Sequence, residues 1–113
     1  MLSNPLSNPL TPEVIRQHGA EELIELRRRV ELWKEDFLRL APPEGGSDYL
    51  FLCNDFIYEI EEYLYPYLHR LRVTDHIDTT QLDNFMTFCY QQVEELRDFL
   101  LKNEGLPEGG EAS

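Results

Sequence analysis

Between residues 20 and 40, Leu23, Leu26, Val30, Trp33, Phe37 and Leu40 recur as apolar positions. Their intervals alternate between three and four, which puts all six on one stripe of an α-helix. A long helix is therefore predicted over about Ala20–Leu40. Ahead of it, Thr11-Pro12-Glu13 reads as a helix start: Thr11 can cap, Pro12 suits the first helical position, and Glu13 complements the dipole. This predicts a short helix over Thr11–His18, with Gly19 as a break or kink. Ala41-Pro42-Pro43-Glu44-Gly45-Gly46 stops the long helix.

The second predicted helix opens at Ser47 or Asp48 as cap and reaches about Arg72. Its seam is Cys53, Phe56, Ile60, Tyr63, Tyr67 and Leu71, flanked by Leu50, Ile57, Leu64 and Leu68. Pro66 falls inside this pattern. It removes one backbone donor and crowds the Glu62 carbonyl, so a kink or short interruption is expected there. After a connection over Val73–Thr79, Asp78 with Gln81, or Thr79 alone, caps a third helix. That helix carries Leu82, Phe85 or Met86, Cys89, Val93, Leu96 and Leu100 on one face and ends near Asn103 or Gly105.

Short loops between long amphipathic helices favour antiparallel neighbours. The predicted fold is all-α, an up-down-up bundle of three main antiparallel helices with a short N-terminal helix. The apolar face of the second helix is wide enough to meet a second subunit, so dimerisation is expected to complete the bundle. The bundle domain spans residues 11–104. Residues 1–10, with the tandem Ser3-Asn4-Pro5-Leu6 and Ser7-Asn8-Pro9-Leu10, read as a flexible arm. Residues 105–113, rich in Gly and Glu, read as a disordered acidic tail.

A chain of 113 residues holds one domain. Charge narrows its partners. Lys and Arg number 10 against 22 Asp and Glu, a formal charge of -12. Phosphate-tracking nucleic-acid binding rests on Lys and Arg, so direct nucleic-acid contact is disfavoured. An anionic membrane surface is disfavoured too. Acidity of this kind keeps a protein dispersed, and it also suits a basic protein partner. No secretory signal is visible and no apolar run is long enough to span a membrane, which predicts a cytoplasmic location with Cys53 and Cys89 as reduced, buried, small apolar residues. Residues 11–41 hold six basic and seven acidic side chains, whereas residues 42–113 hold four and 15. Arg27-Arg28-Arg29 is the one basic run, and Glu21, Glu22, Glu25 and Glu31 surround it, so it reads as a self-paired solvated face.

Two patterns bear on catalysis. Glu59-x-x-Glu62 and Glu95-x-x-Asp98 place paired carboxylates on the second and third helices, and oxygen ligands of this kind hold Mg²⁺. The arrangement is similar to the ExxE…ExxD signature of the all-helical MazG-like nucleotide pyrophosphohydrolases. That resemblance implies a Mg-dependent hydrolase using Glu59, Glu62, Glu95 and Asp98. Here 32 residues separate the halves, more than that signature usually shows, and no basic residue is clearly placed nearby to hold a triphosphate. At about 100° per residue, each pair also lies opposite the seam of its own helix, facing solvent. The second pattern runs from Arg70 to His76 and is similar to the Arg–His motif of HEPN-type ribonucleases, with Leu71 where a polar residue usually follows the Arg. An Arg and a His at a helix C-terminus also complement its dipole. His18, His69 and His76 show no zinc-ligand spacing, and neither a phosphate loop nor a nucleophile elbow is present.

The remaining signal is aromatic. Tyr63 and Tyr67 belong to the seam and are expected in the core. Tyr58 and Tyr65 are seven apart and are expected to stack on one flank of the second helix. Ile24 and Leu38 form a second thin apolar stripe on the first. Tyrosine suits an interface, since its ring buries area while its hydroxyl stays wet. Tyr58, Tyr65, Ile24 and Leu38 are therefore the interface candidates. The sequence supports a non-enzymatic interaction or regulatory module acting as a homodimer, with no catalytic residue, metal or cofactor assigned. The Mg-dependent nucleotide pyrophosphohydrolase is the alternative.

Overall fold

The computed structural model describes residues 11–104. The arm expected over 1–10 and the tail expected over 105–113 lie outside the described residues. No strand occurs among those described, and no helix is long and apolar enough to cross a membrane.

Helix α1 spans Pro12–Leu40. Thr11 caps it, its hydroxyl oxygen accepting the Val14 N–H at 3.2 Å, and Pro12 takes the position where a missing amide does no harm. The helix runs through Gly19 without a break, so there is no separate short N-terminal helix. Gly19 is buried for another reason: a Cβ there would lie 1.8 Å from the backbone oxygen of His76. The absent side chain lets α1 touch the loop that holds His76, and that contact outweighs the modest helix cost of glycine.

Residues 41–46 turn the chain back against residues 100–103. Gly45 and Gly46 have φ of 77° and 139°, conformations that other residues rarely take. The Gly46 N–H donates to the Leu100 carbonyl at 2.7 Å. Lys102 Nζ and Asn103 Nδ2 donate to the Pro43 and Glu44 carbonyls, each at 2.7 Å. A 3₁₀ turn over Ser47–Tyr49 then leads into α2, Phe51–Glu59. Neither Ser47 nor Asp48 caps with its side chain, contrary to expectation. The Ser47 amide instead donates to Glu104 Oε2 at 3.0 Å.

α2 continues without interruption into a π-helical turn, Ile60–Leu64, and then α3, Tyr65–Val73. The Tyr65 N–H reaches back five residues to the Ile60 carbonyl, one further than in an α-helix. The expected disturbance at Pro66 is therefore real and takes the form of a wide turn just before it. This turn changes which residues face inward. The seam runs Ile60, Leu64, Leu68, Leu71, all buried, instead of Ile60, Tyr63, Tyr67, Leu71. Tyr63 is 62% exposed and Tyr67 half-buried, so neither is the core residue the even periodicity predicts.

α4, Thr79–Leu101, opens with a complete capping box. Asp78 Oδ1 accepts the Gln81 N–H at 2.7 Å, and Gln81 Oε1 accepts the Asp78 N–H at 2.8 Å. Eight of its 23 residues are buried, among them Cys89, Val93, Leu96 and Leu100. Of the 29 residues in α1, only Gly19 and Val30 are buried. Leu23, Leu26, Trp33 and Phe37 pack against the core from its margin, Phe37 stacking on Phe56 with centroids 5.1 Å apart. Contacts from α1 to α4 advance in step, Arg27 over Phe88 and Lys34 with Glu95. Those from α1 to α2 and α3 run in opposite order, Glu22 with Tyr67 and Phe37 on Phe56.

Gly19→Ala separates the two roles of that glycine. In an open helix alanine stabilises, by about 1 kcal/mol. Here the methyl meets backbone, so a loss of roughly 1–3 kcal/mol is expected from urea unfolding, the range for overpacking. The π-turn has its own test. Leu64→Ala should cost about 2–5 kcal/mol as a buried truncation. Tyr63→Ala should cost much less, and a reversed order would mean that the seam follows Tyr63.

Candidate functional site

The four carboxylates of the possible Mg²⁺ signature do not form one group. Glu59 is the last residue of α2, and Glu62 lies in the π-turn. Glu95 pairs with Lys34 of α1, while Asp98 and Glu62 are exposed. Among the described residues, no three or more His, Cys, Asp and Glu side chains are arranged to hold a metal ion. The Arg70–His76 pair is also occupied locally. Arg70 lies over the Tyr67 ring at 5.5 Å, and His76 Nδ1 is 2.7 Å from the Thr74 hydroxyl.

The interface candidates fall on different flanks. Tyr58, 56% exposed, meets Tyr63 edge to face at 5.9 Å. Tyr65 stacks on His69 at 6.1 Å and shares a shallow depression with Glu61, Met86 and Tyr90 on the α4 side. The two therefore do not stack on one flank, because the π-turn between them rotates the later residue away from the α-helical register. Ile24, 60% exposed, lines a groove of about 260 Å³ between α1 and α4 with Leu23, Phe85 and Phe88. The Arg27 guanidinium covers one side of it, 4.1 Å from the Phe88 ring centroid. Leu38 is half-buried and packs against the core, which leaves little of it for a partner.

A long concavity lies between α1 and α3. α1 leans on α4 and draws away from α3, opening a trough. One part, about 640 Å³, is lined by His18, Glu21, Leu71 and His76 together with Glu22, Glu25 and Tyr67. The other, about 340 Å³, shares those last three residues and continues past Leu26, Arg29, Trp33, Tyr63 and Leu64. The two parts adjoin at Glu22, Glu25 and Tyr67 and together form a trough along α1 from His18 to Trp33, bridged between them by the Glu22–Tyr67 pair. The Tyr67 hydroxyl donates to Glu22 Oε1 at 3.1 Å. Burial and then this carboxylate raise its pKa, so the hydroxyl stays a donor. Glu25 accepts from Arg28 Nη1 at 2.9 Å at the outer edge.

Sequence spacing did not reveal this trough. His18 and His76 show no ligand spacing, yet the Gly19–His76 contact brings them to one end of it. Tyr63 and Tyr67 were expected inside, and the π-turn moves them to its wall. Pro66 was the available signal for both. No protein-family model matches the chain, and neither a curated protein nor a solved structure matches it.

Cys53 and Cys89 are free and buried. Burial raises both thiols, that of Cys89 from 9.0 to about 12. Tyr90 is raised from 10.0 to about 12 by burial and by its 2.7 Å hydrogen bond to Glu61. Both groups hold their protons more tightly when folded. Their contribution is complete below their unfolded values and is lost as pH rises toward the folded ones. Urea midpoints should therefore fall between about pH 9 and 12, and the fall should be shallower in Cys89→Ala. An equal slope in the two proteins would mean that Cys89 titrates normally in the fold.

Proposed function

We propose that the chain is a non-enzymatic protein-interaction module, regulatory in role, whose three helices run up-down-up and act as a homodimer. The observation that carries this reading is the cover on α1, where two of 29 residues are buried. A helix whose apolar stripe is only half covered gains by further burial, at about 25 cal/mol per Å² of apolar surface. Open grooves flank α1 on both sides, toward α4 and toward α3. The opposite contact order of α1 against α2 and α3 supports the antiparallel arrangement. The free buried thiols suit a reducing compartment, the cytoplasm. A charge of -12 favours protein partners over nucleic acid or anionic lipid.

The self-association face we assign is the α1–α4 groove, with Ile24 at its exposed edge and Leu23, Phe85 and Phe88 behind it. Its apolar lining lets the same patch meet itself across a two-fold axis. Sedimentation equilibrium at micromolar concentration should give twice the chain mass. Ile24→Asp should return the chain mass with circular dichroism unchanged, since Ile24 is largely exposed in the single chain, and with a lower thermal midpoint as the dimer's contribution is lost. A wild-type protein at the single-chain mass would remove the dimer from the proposal.

A further inference from the structure

We propose that the trough between α1 and α3 docks a basic amphipathic helix from a partner protein. This rests on the interaction reading and adds the chemistry of the partner. The first argument is shape. From His18 to Trp33 the trough follows α1 for about 22 Å at ~1.5 Å per residue, the length of roughly four helical turns. A helix laid there would take the place of a fourth bundle member, on the side where α1 stands away from α3.

The second argument is the lining. Leu26 offers apolar contact along the trough, with Leu64 and Leu71 buried beneath its floor. Trp33, Tyr63 and Tyr67 supply rings, and Tyr63 is mostly uncovered in the free chain. Trp and Tyr concentrate binding energy at interfaces, and their faces attract Lys and Arg. Glu21, Glu22 and Glu25 face the trough against the single lining arginine, Arg29, while Arg70 borders it over Tyr67. A partner helix with an apolar stripe and Lys or Arg beside it matches both the floor and the carboxylates. A second copy fits less well. A two-fold contact over this trough would bring the same three carboxylates of each copy toward one axis, between chains that each carry -12.

Trp33 is the only tryptophan and lines the trough, so its fluorescence reports occupancy directly. The probe is a tryptophan-free peptide of about four turns with Leu at helical spacing and Lys elsewhere. Two controls accompany it: the same Leu pattern with Glu, and a Lys–Ser peptide of equal charge without the stripe. The Leu–Lys peptide should give a saturable shift, and both controls should bind at least roughly tenfold more weakly, about 1.4 kcal/mol. The exposed double change Glu21→Lys with Glu25→Lys should weaken the Leu–Lys peptide by a similar factor with circular dichroism unchanged. Tyr63→Ala should weaken it too. No saturable response, an equal response to either control, or indifference to both variants would each overturn the proposal. Sedimentation of the same samples keeps the two readings apart. A dimer that ignores the peptide removes only the trough assignment, and a monomer that binds it removes only self-association.

Discussion

Pro66 has no amide hydrogen, and in a regular helix its ring would press on the Glu62 carbonyl. The chain answers with a turn one residue wider, closed by the Tyr65 amide on Ile60. Everything beyond that point is rotated relative to what precedes it. Leu64 and Leu68 enter the core, while Tyr63 and Tyr67 move to the side that faces α1. Had the helix stayed regular, the two tyrosines would be interior packing and the trough would have lost its aromatic wall. A local backbone constraint thus decides the chemistry of the trough between α1 and α3.

α1 is fixed to the rest at separated points, and their placement explains why a trough exists. Near its start, Gly19 touches the His76 backbone. Further along, Phe37 stacks on Phe56. Between these anchors its strongest partners lie on α4, where Arg27 covers Phe88 and Lys34 pairs with Glu95. The guanidinium–ring contact and the ion pair each contribute about 1 kcal/mol or less, and the aromatic stack a similar amount beyond its burial. Pulled toward α4 in its middle, α1 meets α3 only through lighter contacts such as the Glu22–Tyr67 hydrogen bond. The opposite end of the molecule is firmer, because the Gly45–Gly46 turn and the end of α4 exchange backbone and side-chain hydrogen bonds.

What could be read from the sequence was what depends on near neighbours. The Asp78–Gln81 capping box and the Thr11 cap need only residues three apart, and both formed as expected. The α4 seam was legible because nothing interrupts its period. Gly19 was misread because its reason is a carbonyl far along the chain, which no local pattern contains. The second helix was read at one constant period, so Pro66 was seen as a disturbance but not as a shift of register. Trp33 was placed correctly on its stripe, yet periodicity gives a face and not its cover, and the structure leaves it half-buried. The trough, built from residues of α1, α3 and the loop after α3, was beyond reach for the same reason.

The division of labour inside the trough follows from how its polar groups are held. Glu22 is engaged by Tyr67 in a half-buried position, whereas Glu21 and Glu25, the latter held by Arg28, are open to water. Carboxylates at such positions act in a high dielectric and are screened over about 8–10 Å at ordinary ionic strength. Charge of that kind sets which partner approaches and how fast, more than how tightly it stays. Affinity under the proposed docking would come from Trp33, Tyr63 and Leu26, where water is displaced. Catalysis asks for the opposite arrangement, with polar groups converging on one atom in a space closed to water. The carboxylates here are spread along a rim and Glu61 and Glu95 are each tied to a neighbouring helix, Glu61 by Tyr90 and Glu95 by Lys34. The carboxylates that line the trough, Glu21, Glu22 and Glu25, are not those of the Glu59–Glu62 and Glu95–Asp98 signature, and under the proposed docking they would select a partner of opposite charge.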